Sequence, residues 1–98
     1  MKVLLPGAGG MVARSVAAYC SSIGDEVLAL SREEMDISDR DAVTSTVRAF
    51  RPDAIINCAA YTNVDKAETE KEQAFRTNVA GPENLALAAR SIGCGLVT

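Results

Sequence analysis

The sequence predicts an α/β fold, a parallel β-sheet with helices on both faces. Three observations carry the prediction. Strand-like and helix-like stretches alternate along the 98 residues. The strand-like runs are continuously apolar and lack the alternation of a sheet with one wet face, so they belong to strands covered on both sides. The first of them runs straight into a helical pattern through Pro6-Gly7-Ala8-Gly9-Gly10, a tight and open strand-to-helix junction.

Each element has its own signal. Residues 2–5 read as the first strand. Val12, Val16, Tyr19, Cys20 and Ile23 recur at helical spacing, so residues 11–23 predict a helix with one apolar stripe, closed by Gly24. Residues 26–30 are the second strand. Ser38 is expected to cap the next helix, with Asp39 and Asp41 at its positive end, Val43, Val47 and Phe50 as its stripe, and Pro52 as its stop. Residues 54–58 are a third buried strand, and residues 59–64 a loop. A long helical stretch covers residues 71–92, with Phe75, Val79, Leu85, Ala88, Ala89 and Ile92 on its inner side. Gly81-Pro82 falls inside that stretch and predicts a kink or break. Gly93 and Gly95 close it, and residues 95–98 begin a fourth strand. With right-handed crossovers this order predicts a Rossmann-type sheet with strand order 3-2-1-4, truncated after its fourth strand.

Composition excludes several functions. The chain is 48% apolar and 23% charged, the profile of a folded domain, and at this length of one domain only. A net charge of −3 with scattered Lys and Arg gives no footprint for a nucleic-acid backbone. No apolar run reaches membrane-spanning length, and the first five residues are too short for a signal-peptide core, so a cytoplasmic location is expected. Cys20, Cys58 and Cys94 are widely spaced and there is no histidine, which argues against a zinc site and against histidine-based triads. The cysteines read as small apolar fillers.

The chemistry is concentrated at three places. Gly7, Gly9 and Gly10, followed by Met11, Val12 and Ala13, lie between a strand and a helix, as a dinucleotide-binding fingerprint requires. Gly7 permits the turn, Gly10 admits a diphosphate to the backbone, and the amides from Gly10 to Val12 face the anion. Ala13 stands where a third glycine often packs helix on strand. The second place is the end of the second strand. An acidic residue there would bind the ribose hydroxyls of NAD; this chain has Ser31 and Arg32, which suit a ribose 2′-phosphate and predict NADPH with NADH accepted. Glu33 and Glu34 oppose that assignment, because they can pair with Arg32 or repel the phosphate, and Arg32 also reads as a solvated loop charge. The third place is Asn57-Cys58-Ala59-Ala60-Tyr61-Thr62, leaving the third strand at the ligand-binding edge of the sheet. Its small residues would let a ribose lie against the backbone, and a tight strand-to-loop transition explains them nearly as well.

These residues, with Glu34-Met35-Asp36-Ile37-Ser38-Asp39, Arg51-Pro52-Asp53-Ala54-Ile55-Ile56-Asn57, Ala59 to Glu68 and Asn78 to Ala86, resemble the extended short-chain dehydrogenase/reductases, in particular the dTDP-4-dehydrorhamnose reductase family. The resemblance runs from Lys2 to Thr98. It implies the N-terminal part of a NAD(P)-binding Rossmann domain over residues 1–98, with a sugar-nucleotide domain elsewhere. It implies that Asp36 and Ile37 lie by the adenine, that Ala59, Ala60, Tyr61 and Thr62 line the nicotinamide side, that Thr62 and Val64 approach the substrate, and that Asn78 supports the active site. It implies an oxidoreductase acting on dTDP-4-dehydro-L-rhamnose, with a homodimer among the assemblies open to it. Two departures matter. Pro6 stands where the family usually has Thr, and the family's catalytic Tyr-x-x-x-Lys is absent, since Ile23 and Asp65 stand four residues after Tyr19 and Tyr61. No catalytic residue is therefore expected within the chain. Two other readings stay open: a non-catalytic regulatory relative like the methionine adenosyltransferase beta subunit, and a sugar-nucleotide epimerase or dehydratase, which commonly carries Asp where Ser31 and Arg32 stand.

Overall fold

Seven elements follow one another in the computed structural model, which describes residues 1–59 and 79–97. They are β1 (Lys2–Pro6), α1 (Met11–Ser22), β2 (Glu26–Leu30), α2 (Arg40–Phe50), β3 (Ala54–Ile56), α3 (Gly81–Ile92) and β4 (Gly95–Val97). All four strands are parallel. Val3, Leu4, Leu5 and Pro6 are all buried, which explains why the first strand shows no alternation: it lies in the middle of the sheet with helices on both faces.

The strand order is β2-β1-β3-β4, not the expected 3-2-1-4. After β2 the chain does not add a strand further out. It returns over β1 through α2 and lays β3 on the other edge of β1. The expected outer strand, residues 54–56, pairs with β1 and not outside β2, and the segment directly after β2 folds into local turns. The amides of Glu34 and Met35 donate to the Ser31 carbonyl, and the Asp36 carboxylate accepts from the Ser38 amide and hydroxyl at 2.9 and 2.7 Å. An Asx turn of this kind satisfies the backbone groups that pairing would need. The reversal has a consequence for function: right-handed crossovers in opposite directions put α1 on one face and α2 with α3 on the other, and the two directions diverge between β1 and β3.

The main core lies under α2 and α3. Leu4, Ile55, Val43, Val47, Leu85, Ala88 and Ala89 are buried there, joined by Met35 and Ile37 from the loop after β2. Helix α2 starts one residue later than expected: Asp39, not Ser38, is its cap, and its carboxylate accepts from the amides of Asp41 and Ala42. The Ser38 hydroxyl is engaged by Asp36. Helix α3 runs from Gly81 with Pro82 in its first turn, directly after a wider helical turn at residues 79–80, so the helical form changes at the Gly-Pro pair; residues 71–78 of the expected stretch, with Phe75, lie outside the described residues. Gly93, at φ 70°, ends it in the left-handed region. Strand β3 stops at Ile56, two residues short of the expected end; Asn57 and Cys58 still donate to β4 and β1 in alternation before the Asn57 side chain turns the chain at Ala59.

The stripe on α1 is the largest departure in burial. Ala13 and Cys20 are buried, but Val12, Tyr19 and Ile23 are 70%, 65% and 59% exposed. Among the described elements the helix rests chiefly on β2 and β1. Its outward apolar side, with Val3 and Ile56, lines an open groove over the other half of that sheet face. The period was that of a helix, but among the described residues no second element covers this face.

The opposite end of the sheet is closed by polar contacts. The Lys2 and Asp53 main chains and the Asp53 carboxylate bond across β1 and β3 at 2.7–2.8 Å, and the Met1 amine pairs with Asp25 at 3.0 Å.

Two outcomes follow. Leu85→Ala should lower the urea unfolding free energy by about 2–5 kcal/mol, and a loss under about 1 kcal/mol would show that α3 does not seal the core. The hydrogen bond and charge of Asp25 hold the Met1 amine above its ordinary 8.0. A raised pKa means stability present in full below pH 8 and lost as the pH climbs through the folded value. The urea midpoint should therefore drift down above pH 8, and Asp25→Asn should flatten that drift. Identical slopes for both proteins would remove the ion pair from the account.

Candidate functional site

At the carboxyl edge of the sheet, between β1 and β3, the loops enclose a cleft of about 620 Å³. A ligand crevice is expected at this position in a doubly wound sheet, where the connections diverge. Three stretches of chain make its walls.

The first is the glycine loop. The β1–β2 pairing carries on past the strand, because the amides of Gly7 and Ala8 both donate to the Leu30 carbonyl at 2.9 and 3.1 Å. Gly7 has φ +84°, and a Cβ on it would lie 2.5 Å from the Ala59 nitrogen and 2.6 Å from the Cys58 carbonyl carbon. Only glycine fits this packing. At Gly9 and Gly10 a Cβ would meet nothing within 4 Å, so the space above them is left open by the protein. Gly10 is the N-cap of α1, no side chain caps that end, and the first turn carries no acidic residue. Helix α2 is the contrast, with Asp39 as cap and Asp41 behind it. The amides at the start of α1 thus offer donors and the positive end of a helix to a group from outside. Met11 and Val12, 84% and 70% exposed, flank them and leave apolar surface for a ligand to cover.

The second wall is the loop after β2. Ser31, Arg32, Glu33, Met35, Asp36 and Ile37 all line the cleft. Ile37 is buried against Gly81, and the Asn84 side chain donates to the Ile37 carbonyl at 3.0 Å, so the first turn of α3 holds this wall in place. The third is the exit from β3. The Asn57 amide donates to Val97 and the Cys58 amide to Pro6, so consecutive residues pair with β4 and β1. The Asn57 side chain then accepts from the Ala59 amide at 2.9 Å, which turns the chain onto Gly7. Burial pushes the Cys58 thiol up from its ordinary value, so near neutral pH it is a protonated, small wall group and no nucleophile.

The family model described as RmlD substrate binding domain matches residues 1–98, the entire sequence. The chain belongs to that family. It is 47% identical over 96 residues to the dTDP-4-dehydrorhamnose reductase of Mycolicibacterium smegmatis, covering 98% of this chain and 29% of that one. The crystal structure of a dTDP-4-dehydrorhamnose reductase from Clostridium acetobutylicum superimposes with a TM-score of 0.92 at 36% identity, over 98% of this chain and 34% of that one. The Bacillus anthracis dTDP-4-dehydrorhamnose reductase, solved in complex with NADP, gives 0.89 at 32% identity over 97% and 34%. The chain thus spans about a third of the length of these family members. The Rossmann-type fold expected from the sequence is the fold observed, with the strand order corrected as above.

Of the residues singled out in the sequence, Gly7, Gly9, Gly10, Met11, Val12, Ser31, Arg32, Asp36, Ile37, Cys58 and Ala59 are brought together around the cleft. Ala60, Tyr61, Thr62, Val64 and Asn78 lie outside the described residues. Two contributors were not anticipated. Met35 joins the cleft wall from the core, a position that the apolar–polar alternation of Met35-Asp36-Ile37 hints at. Asn84 binds a main-chain carbonyl 47 residues away, which no local pattern announces. Among the described residues no group of His, Cys, Asp and Glu could hold a metal ion, and no helix is long and apolar enough to cross a membrane.

Gly7→Ala should lower the melting temperature markedly, since it places a methyl group against backbone in a left-handed conformation, a cost of about 1–3 kcal/mol for the dihedral alone. Gly9→Ala, made in open space, should leave the melting temperature within about 2 °C, the spread of a neutral surface change. Equal melting temperatures for the two variants would contradict the packing of Gly7 on Ala59.

Proposed function

We propose that this chain is the cofactor-binding part of an NADPH-dependent dTDP-4-dehydrorhamnose reductase, which reduces the 4-keto group of dTDP-4-dehydro-L-rhamnose. The observation that carries the reading is the pairing of an uncapped, acid-free helix start with open space over Gly9 and Gly10 at the divergence of the sheet connections. A diphosphate needs such a cradle: backbone donors, a favourable dipole and no Cβ in its way. The family membership and the NADP held by the Bacillus anthracis relative support the same reading.

The walls then take roles by their chemistry. The amides at the start of α1 bind the diphosphate. Ser31 and Arg32, across the cleft at the end of β2, bind the adenosine ribose and its 2′-phosphate. Asp36 and Ile37, which line the cleft, flank the adenine as the family resemblance implies, and the small Cys58 and Ala59 let a cofactor ribose lie against the backbone. When bound, the dinucleotide supplies the reducing equivalent. These residues fix its position. Neither Tyr19 nor Tyr61 has the lysine four residues on that would depress its pKa, so the proton for the new alkoxide comes from outside these 98 residues.

Calorimetric titration tests the assignment. The chain should bind NADPH without turning over the sugar nucleotide, and Gly10→Val should abolish binding while preserving the fold. Arg32→Ala should weaken NADPH by roughly tenfold or more and NADH by less than about twofold, as loss of a charge-assisted phosphate contact predicts. Equal losses for the two cofactors would remove the 2′-phosphate contact, and undiminished NADPH binding by Gly10→Val would remove the diphosphate cradle.

A further inference from the structure

The sequence sets two glutamates directly after Arg32, and both look unfavourable for a phosphate. The structure separates them. Glu33 lines the cleft with Ser31 and Arg32. Glu34 points back along its own turn, where its Oε1 accepts a hydrogen bond from the Ser31 amide at 2.9 Å. In return the Glu34 amide donates to the Ser31 carbonyl at 3.1 Å, and the Met35 amide donates to the same oxygen at 2.9 Å. Three hydrogen bonds therefore close residues 31–35 into one loop, with Arg32 inside it and Met35 anchored in the core. The Glu34 side chain makes the backward bond of a capping box, while the forward bond goes to the Ser31 carbonyl and not to its hydroxyl. The Ser31 amide lowers the Glu34 carboxyl below its ordinary range, with the Ser31 hydroxyl contributing in the same direction. The carboxylate is thus charged, and its hydrogen bond is of the stronger, charge-assisted kind.

We propose that Glu34 is a positioning residue for cofactor discrimination: by clamping the Ser31 amide it holds the turn that presents Ser31 and Arg32 to the ribose 2′-phosphate. It does this without touching the cofactor. The proposal rests on the reading of Arg32 as the phosphate-binding residue. It differs from a purely structural role because the anchor points of the loop, the end of β2 and Met35, are held independently, by the sheet and by the core. Loss of the clamp therefore acts on Ser31 and Arg32, not on the fold. It also reverses the expectation from the sequence: removing this negative charge beside a phosphate site should weaken phosphate binding.

The test uses adenosine 2′,5′-bisphosphate and AMP, which differ only in the 2′-phosphate and fit this half of the cleft, titrated calorimetrically into the 98-residue chain and its variants. Glu34→Ala should weaken the bisphosphate by roughly five- to tenfold, the loss expected when a charge-assisted hydrogen bond no longer orders its turn, and AMP by less than about twofold. Glu34→Gln, which keeps an acceptor for the Ser31 amide, should restore most of the difference. The result that overturns the proposal is tighter bisphosphate binding by both variants, which would make Glu34 a repelling charge. Equal losses for both ligands would also overturn it, by making the residue a general structural support. Arg32→Ala separates the two levels of inference. If it discriminates between the ligands and Glu34→Ala does not, the clamp is wrong and the cofactor reading stands; if neither discriminates, both fall.

Discussion

The contact between Gly7 and the Cys58–Ala59 backbone is the constraint on which the site depends. Two loops leave neighbouring strands at the same edge of the sheet, and they meet at a distance that excludes even one methyl group. That approach sets where the glycine loop can run and so where α1 can begin. It is reinforced from both sides: Gly7 and Ala8 are tied to Leu30 on β2, and Cys58 is tied to Pro6 on β1. On the side of Gly7, Cys58 and Ala59 the cleft is thus bounded by main chain, whose position is fixed by the sheet ladder. A site meant to hold a diphosphate gains from this, because backbone donors that are already ordered lose little entropy on binding.

The topology places this contact where it can serve a ligand. Because α2 carries the chain back across β1, the loops after β1 and β3 diverge to opposite faces and leave a gap between them. The same reversal divides the burial. The face under α2 and α3 has a continuous core, from Leu4 and Ile55 to Leu85, while the α1 face is apolar but half open, with Tyr19 and Ile23 exposed beside Val3 and Ile56. The chain spans about a third of the length of the family members compared with it, and its better-packed face is also the one that supports the second wall of the cleft, through Ile37, Gly81 and Asn84.

Charge is distributed around the cleft with the same economy. The start of α1 has no acidic residue, whereas the start of α2 has two, so only one of the two helix ends is left to attract an anion. At the end of β2 the acids outnumber the single arginine, yet one of them is committed to the Ser31 amide and serves as a local structural acceptor. A count of charges along this segment would miss that difference, which lies in the direction each side chain takes.

Read alone, the sequence determined the element types, the parallel sheet, the glycine junction and most of the cleft residues, because these follow from short-range rules. An apolar run without alternation must be buried on both faces, helical spacing must make a stripe, and a glycine cluster between them must be a turn. It misjudged what depends on partners distant along the chain. The strand order turned on which edge of the sheet the third strand would join, and residues 54–56 pair with β1 instead of lying outside β2. The α1 stripe had the right period, but periodicity cannot say whether a second element lies opposite it. Only the tertiary structure brought Gly7 against Ala59 and Asn84 to Ile37, since such contacts join residues that share no local pattern and meet only when the sheet has assembled.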